Sequence, residues 1–249
     1  MNQFATYPSL KNEAVVVTGG ASGIGASIVE HFAAQGARVG FVDLDDKAGS
    51  ELAAKTGARF MACDLRDIGA LRKALAAFEK DQGPPLALVN NAARDDRHAI
   101  EDVTPEYWDE RMATNLRHQF FAAQAVIPTM RKRKRGAIIN VGSISWRLAL
   151  GGMPAYVTAK SAVEGLTRGL ARDLGPDGIR VNCLVPGWIM TERQIKLWLT
   201  PEGEAELMTK QCLKEKLYPP DVARMVLWLA ADDSRMVTAQ SFIVDGGWA

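Results

Sequence analysis

In the segment PAYVTAKSA, residues 154–162, a tyrosine stands four residues before a lysine. On a helix that spacing puts Tyr156 and Lys160 on one face, a turn apart. A free phenol has a pKa near ~10 and is a poor base at neutral pH. An ammonium about 4–5 Å away, at an effective dielectric of about 20, favours the phenolate by about 3–4 kcal/mol, or about 2–3 pKa units. The pair is therefore expected to take the proton of a substrate hydroxyl, with Lys160 bringing Tyr156 toward working pH. Packing is the competing account of the same residues, and this segment alone does not choose between them.

The elements that must position such a pair are legible along the chain. Short apolar runs at 13–18, 37–42, 58–62, 86–90, 136–141, 179–185 and 241–245 alternate with stretches of helical period, such as GIGASIVEHFAAQ and VEGLTRGLARDL. Strands that are apolar throughout and joined by helices indicate a parallel sheet covered on both faces. Right-handed crossovers then make a doubly wound, Rossmann-like α/β fold with a seven-stranded sheet, expected as a single domain over 1–249. A less regular stretch, roughly 188–217, reads as a helical excursion and a candidate substrate lid. Ligands of such sheets bind outside the carboxyl ends of the strands. The residues standing there are TGGASGIG, Asp43, Cys63-Asp64, NNAA, GSIS and PGWIMT, a set rich in glycine and polar groups.

The first of these segments lies between a strand and a helix. Gly19, Gly23 and Gly25 supply a tight turn, close backbone approach to a ligand and close helix–strand packing. The helix N-terminus presents free N–H groups to a pyrophosphate. A plain βα connection is the alternative for a lone glycine turn, but Asp43 at the end of the second strand adds a carboxylate for ribose hydroxyls. Asp45 is an equally good helix cap, which leaves Asp43 for the ribose. An anion at Asp43, with Leu44 after it and Ser22 before Gly23, disfavours a 2′-phosphate, so the expected cofactor is NAD rather than NADP.

The bulk properties exclude several classes. The chain has 249 residues, 47% hydrophobic and 24% charged, with net charge +1, so no global field favours nucleic acid or membrane. MNQFATYPSL has no basic n-region or apolar h-region, so no signal peptide is expected. Cys63, Cys183 and Cys212 are widely spaced and form no CxxC pair, consistent with reduced thiols in the cytoplasm. His31, His98 and His118 have no metal-ligand spacing, and no metal site is expected. The run RKRKR, Arg131–Arg135, is read as a solvated helix end rather than a nucleic-acid patch.

Taken in order, TGGASGIG, NNA, Ser143, YVTAK, PGWIMT and VDGG resemble the short-chain dehydrogenase/reductase family from Val15 to Gly247. The resemblance implies that Tyr156 is the acid/base, that Lys160 lowers its pKa and binds the nicotinamide ribose, and that Ser143 bonds the substrate oxygen. Asn115 would hold a water linking Lys160 to solvent. Gly19, Ser22, Gly23, Ile24 and Gly25 would line the cofactor's phosphates. Asp64 and Leu65 would meet the adenine, Asn91 the cofactor's inner face, and Ile189 and Thr191 the carboxamide. Two positions depart from the family pattern, with Ala93 and Ala239 where glycine is usual. A homotetramer or homodimer is also implied, with helices around 105–130 and 153–175 and the C-terminal VDGGWA as contact candidates.

YPSLK, RDDRH, VTPEYWDERMATNLRH, GSISWRL, LTPEGEAE and QCLK further resemble bacterial NAD-dependent aldose 1-dehydrogenases. That implies oxidation of a cyclic sugar such as D-xylose, D-galactose or L-arabinose at C1 to the lactone. Sugars are held by polar side chains with an aromatic ring against the C–H patch. Trp146, close after Ser143, is the expected ring. The competing readings are a dehydrogenase for a polyol or a 3-oxoacyl thioester, and a dinucleotide-binding regulator without catalysis. The regulator would be marked by a broken Ser–Tyr–Lys set, and the set is intact.

Overall fold

The computed structural model describes residues 4–249. Met1, Asn2 and Gln3, where the expected domain and the segment read for a signal peptide begin, lie outside the described residues. Seven strands form one parallel sheet: β1 (Ala14–Thr18), β2 (Arg38–Asp43), β3 (Arg59–Ala62), β4 (Pro85–Asn90), β5 (Gly136–Val141), β6 (Ile179–Pro186) and β7 (Ser241–Val244). Their order is β3-β2-β1-β4-β5-β6-β7, the doubly wound arrangement expected from the alternating pattern. β1, β4 and β5 are buried at every position, which is why they read as unbroken apolar runs.

Helices cover both faces. On one side Ile28 and Phe32 of α1 (Gly23–Ala34) and Leu52 of α2 (Asp46–Thr56) pack with Val222, Val226 and Leu229 of α9 (Pro219–Ala230). On the other, α3 (Ile68–Gln82) contributes Leu71, Leu75 and Phe78. Beside it lie Ala122, Val126 and Met130 of α5 (His118–Arg133) and Leu174 of α6 (Pro154–Leu174). Each fully buried large apolar side chain stabilises the fold by about 1.5–3 kcal/mol. α4 (Pro105–Met112) runs into α5, and the 188–217 excursion contains α7 (Glu192–Leu197) and α8 (Pro201–Lys210). Among the described residues no helix is long and apolar enough to cross a membrane.

A buried polar ladder fixes the helices that carry the site. Asn90 and Asn140 are register partners on β4 and β5. Asn90 Nδ2 donates to Asn140 Oδ1 (2.9 Å) and to the Gln119 carbonyl on α5 (3.2 Å), while Asn140 Nδ2 donates to Thr167 Oγ1 on α6 (3.0 Å). These buried amides give β4, β5, α5 and α6 a single relative position, because a shifted helix would leave them unsatisfied.

The basic run does end a helix, and its charges are paired at long range. Arg131 and Lys134 meet Asp177, Arg133 and Arg135 meet Glu13, and Arg135 also meets Asp232. Ala239 has φ +61°, in the left-handed region where a Cβ is strained, which gives a physical reason for the glycine of the family pattern. Ala239→Gly is expected to raise the free energy of unfolding by up to about 1 kcal/mol, read as a higher urea midpoint at unchanged slope. A lower midpoint would refute the strain.

Candidate active site

Strand order reverses between β1 and β4, and a cleft of roughly 1480 Å³ opens over the carboxyl ends of the strands. Gly19, Ser22, Gly23, Ile24, Gly25, Asp43, Asp64, Leu65, Asn91, Ser143, Tyr156, Lys160, Ile189 and Thr191 all line it. Asn115 and Trp146 are not among the lining residues.

At one end of the cleft the glycine turn is shaped by exclusion. Gly19 and Gly23 have φ of +65° and +54°. A Cβ on Gly25 would fall 1.8 Å from the Gly19 carbonyl oxygen, and one on Gly19 would fall 2.7 Å from Ala92 Cα. Asn91 holds the turn from behind, its Nδ2 donating to the carbonyls of Thr18 (3.1 Å) and Gly19 (2.8 Å). Thr18 Oγ1 in turn accepts from the backbone N–H groups of Asn91 and Ala92. α1 begins at this turn, and Ser22 at its cap position makes no side-chain bond to the free N–H groups. The turn therefore leaves a helix N-terminus open to the cleft, and with no side chain in the way it fits a dinucleotide pyrophosphate.

Asp43 is less free than expected. Its Oδ2 accepts from the Ala21 N–H (2.9 Å) and its Oδ1 from the Asp45 N–H (3.2 Å), so the carboxylate braces the glycine turn while facing the cleft. Each oxygen keeps a second lone pair for a ribose hydroxyl. Asp45 caps α2 as expected, accepting from Ala48 N–H. Asp64 is chelated by Arg66, whose hydrogen bonds hold its carboxyl below the usual carboxylate range. Arg66 also reaches Glu110.

Tyr156 and Lys160 lie on α6 as their spacing requires, but the electrostatics differ from expectation. Lys160 is 1% exposed, its Nζ donates to the Val141 carbonyl (2.7 Å), and it stands 5.8 Å from the centre of the Tyr156 ring. Removal from water dominates at both groups. It pushes the phenol up to about 12, partly opposed by hydrogen bonding to Ser143 and by Arg97, while Asp95 adds to the rise. Burial pushes the Lys160 amine down to about 8, against the opposing influence of Cys183 and Asp95. The expectation that Lys160 alone lowers the phenol is therefore corrected for the free protein: the spacing gave the geometry but not the desolvation.

Ser143 precedes a short 3-10 turn, Ile144–Trp146, and its Oγ accepts from the Ser145 N–H (3.1 Å). Trp146 turns away from the cleft: its indole N–H donates to Glu164 on α6 (3.1 Å), and Arg147 covers its face. The expected sugar platform at Trp146 has no geometric support, whereas Trp188 of the 188–217 excursion does line the cleft.

Asn115 lies in a π-helical stretch, Ala113–Arg117, between α4 and α5, rather than in a regular helix. Its Oδ1 accepts from the Arg94 N–H (2.8 Å) and its Nδ2 donates to the Arg111 carbonyl (3.0 Å), tying α4 to the loop after β4. From the sequence His118 is weighed only as a metal ligand, which misses its place beside Lys160. It is fully buried; desolvation and then Lys160 push its imidazole down to about 3, and Nε2 bonds the Ala92 carbonyl (3.1 Å). Its position just after Asn115 was the available signal.

Across the cleft mouth the loop 94–98 meets the 188–217 excursion. Gln194 of α7 donates from Nε2 to Asp95 (2.8 Å) and accepts at Oε1 from Trp188 (3.0 Å), and Arg193 pairs with Asp96 (2.9 Å). A phenol, a serine hydroxyl and a buried amine thus converge beside an anion-binding turn in a cleft with a polar rim, an arrangement suited to moving a proton on an alcohol oxygen.

Comparison with known proteins gives the same reading. A family model described as enoyl-(acyl carrier protein) reductase matches residues 19–249. D-xylose 1-dehydrogenase of Caulobacter vibrioides is 49% identical over 98% of this chain and 98% of its own length. The probable galactose dehydrogenase GalD of Rhizobium meliloti is 49% identical over 97% of this chain and 96% of its own. D-threitol dehydrogenase of Mycolicibacterium smegmatis is 34% identical over 96% of this chain and 94% of its own. With its sheet, its glycine turn and its Ser143–Tyr156–Lys160 set, the chain belongs to the short-chain dehydrogenase/reductase family of oxidoreductases.

Proposed function

We propose that this chain oxidises a cyclic aldose at C1 to its lactone, with NAD as the cofactor. A nicotinamide dinucleotide follows from the family. The choice of sugar rests on one observation. Two relatives, each half-identical to it over nearly the whole chain, are named for different aldoses, D-xylose and galactose. The charged and amide side chains of loop 94–98 and α7 at the cleft mouth support a polyhydroxylated substrate over an apolar one. D-xylose, D-galactose and L-arabinose differ in hydroxyl configuration or in the C6 substituent, which such a rim is suited to read.

Asp43 supports NAD over NADP, because a carboxylate at the end of β2 repels a 2′-phosphate. Arg66, a cation on the adenine side, is already engaged by Asp64 and Glu110. The glycine turn and the open end of α1 would hold the pyrophosphate, Asp64 and Leu65 would border the adenine, and Ile189 and Thr191 the carboxamide. When bound, oxidised NAD supplies a hydride acceptor and a positively charged ring. Ser143 holds the anomeric oxygen, and Tyr156 takes its proton as C1 gives up hydride and becomes the lactone carbonyl. Lys160 keeps a positive charge below the phenol and favours its anion, and Asn115 fixes the loop after β4 against α4. The intact Ser–Tyr–Lys set opposes the reading as a regulator without catalysis.

A linear polyol is the second reading, favoured by the D-threitol dehydrogenase relative. Screening NAD reduction against aldopentoses, aldohexoses and polyols separates the two. Turnover of aldoses is expected, with Tyr156→Phe about 10²–10⁴-fold slower and its NAD affinity unchanged. Activity on polyols alone would sink the aldose reading. Asp43→Ala is expected to weaken NAD binding and narrow the preference over NADP, as read from the ratio of kcat/KM values; an unaltered ratio removes the ribose argument. A homotetramer or homodimer is supported by a half-buried, mostly apolar groove of Met112, Leu116, Phe120, Phe121, Ala162 and Leu166, edged by Arg117. Light scattering should therefore exceed the 27.1 kDa of one chain, and a monomer mass counts against assembly. The free cysteines Cys63 and Cys183, both buried, support a cytoplasmic setting.

A further inference from the structure

The carboxylates around the cleft differ in how much bonding capacity they retain. Asp43 is held by two backbone amides, and Asp64 is chelated by Arg66. Glu110 is shared by Arg66, Arg111 and Thr114. Asp96 is surrounded by Arg94, Arg111 and Arg193. Asp95 is different. It has one close donor, the neutral amide of Gln194 at 2.8 Å, and Arg193 Nε stands off at 3.5 Å.

An ionised carboxylate has about four acceptor sites, so Asp95 retains unused lone pairs. Its side chain is 18% exposed and lines the same cleft as Ser143 and Tyr156. It is close enough to act on the charge of both Tyr156 and Lys160. It is also braced: Gln194 holds it on one side while accepting from Trp188 on the other, so its orientation is set by the lid.

We propose that Asp95 is a specificity-determining residue that accepts hydrogen bonds from substrate hydroxyls other than the one being oxidised. The string Asp95–Gln194–Trp188 presents that acceptor from the lid side of the cleft. A carboxylate suits a polyol fragment because two adjacent O–H donors reach its two oxygens, and charge-assisted bonds are stronger than neutral ones. A substrate without further hydroxyls leaves Asp95 with nothing to accept and gains nothing from it.

This inference rests on the aldose reading, and its test separates the two. Wild type, Asp95→Asn and Asp95→Ala are compared on the best aldose from the screen and on tetrahydropyran-2-ol, a cyclic hemiacetal with an anomeric hydroxyl and no other. Thermal midpoints and KM for NAD confirm that the variants fold and keep the cofactor site. The expected result is a KM for the aldose raised by about 10- to 100-fold in both variants and a fall in kcat/KM at least about 10-fold larger on the aldose than on tetrahydropyran-2-ol, whose own change reports the lost charge beside Tyr156 and Lys160. Equal losses on both substrates, or an unchanged KM for the aldose, overturn the proposal. If wild type oxidises polyols and no aldose, the function reading fails separately. The same variants on the polyol and on propan-2-ol then decide Asp95 by the same criterion.

Discussion

A lysine ammonium shut away from water at the end of a parallel sheet is the constraint around which this molecule is arranged. Lys160 is 1% exposed and has the Val141 carbonyl, the last residue of β5, as its hydrogen-bond partner. Burying such a charge is costly unless its surroundings are fixed. The Asn90–Asn140–Thr167 ladder fixes them by locking α6 against the sheet. Tyr156 then stands one helical turn earlier in the cleft wall. The same dryness acts on three neighbouring groups, pushing the phenol up to about 12, the amine down to about 8 and the His118 imidazole down to about 3, each toward its neutral form. A site so biased against charge favours the protonated phenol in the free protein, and the positive ring of an oxidised nicotinamide, bound as proposed, would oppose that bias.

On the proposed reading, substrate discrimination falls to different parts of the chain from those that move the proton. Tyr156 and Lys160 are carried by α6, and Ser143 stands at the start of the short 3-10 turn that follows β5. The polar groups of the rim belong to the loop after β4 and to α7. Asn115 joins these layers through Arg94, which is why a π-helical stretch, a strained irregularity in a helix, is tolerated there. Rigid chemistry with an adaptable rim is consistent with half-identical relatives being named for different sugars.

Much of this was legible in the sequence, for identifiable reasons. Buried parallel strands such as VVVT and GAIINV are apolar on both faces, and closely spaced glycines mark the turn at β1, so the sheet and the glycine turn in the cleft follow from pattern. Asp45 as a cap and RKRKR as a helix end are local readings and agree with the structure. What spacing does not encode is where side chains are carried by distant packing. Trp146 lies three residues from Ser143, yet Glu164 and Arg147 draw it off the cleft. Asp43 contacts Ala21, far earlier in the chain, and Glu13 neutralises arginines more than a hundred residues away. The sign of the Tyr156 shift was missed for the same reason, since an i, i+4 lysine says nothing about how much water surrounds the pair.

The most direct test is to observe the phenol itself. Protein carrying ¹³C at the tyrosine ζ position, with the Tyr156 resonance assigned by its loss in Tyr156→Phe, is titrated by NMR with and without NAD. The account predicts that Tyr156 in the free protein remains protonated beyond the ordinary tyrosine value of 10.0, and that NAD brings its ionisation to lower pH. Titration near 10.0 that NAD leaves unmoved would contradict it.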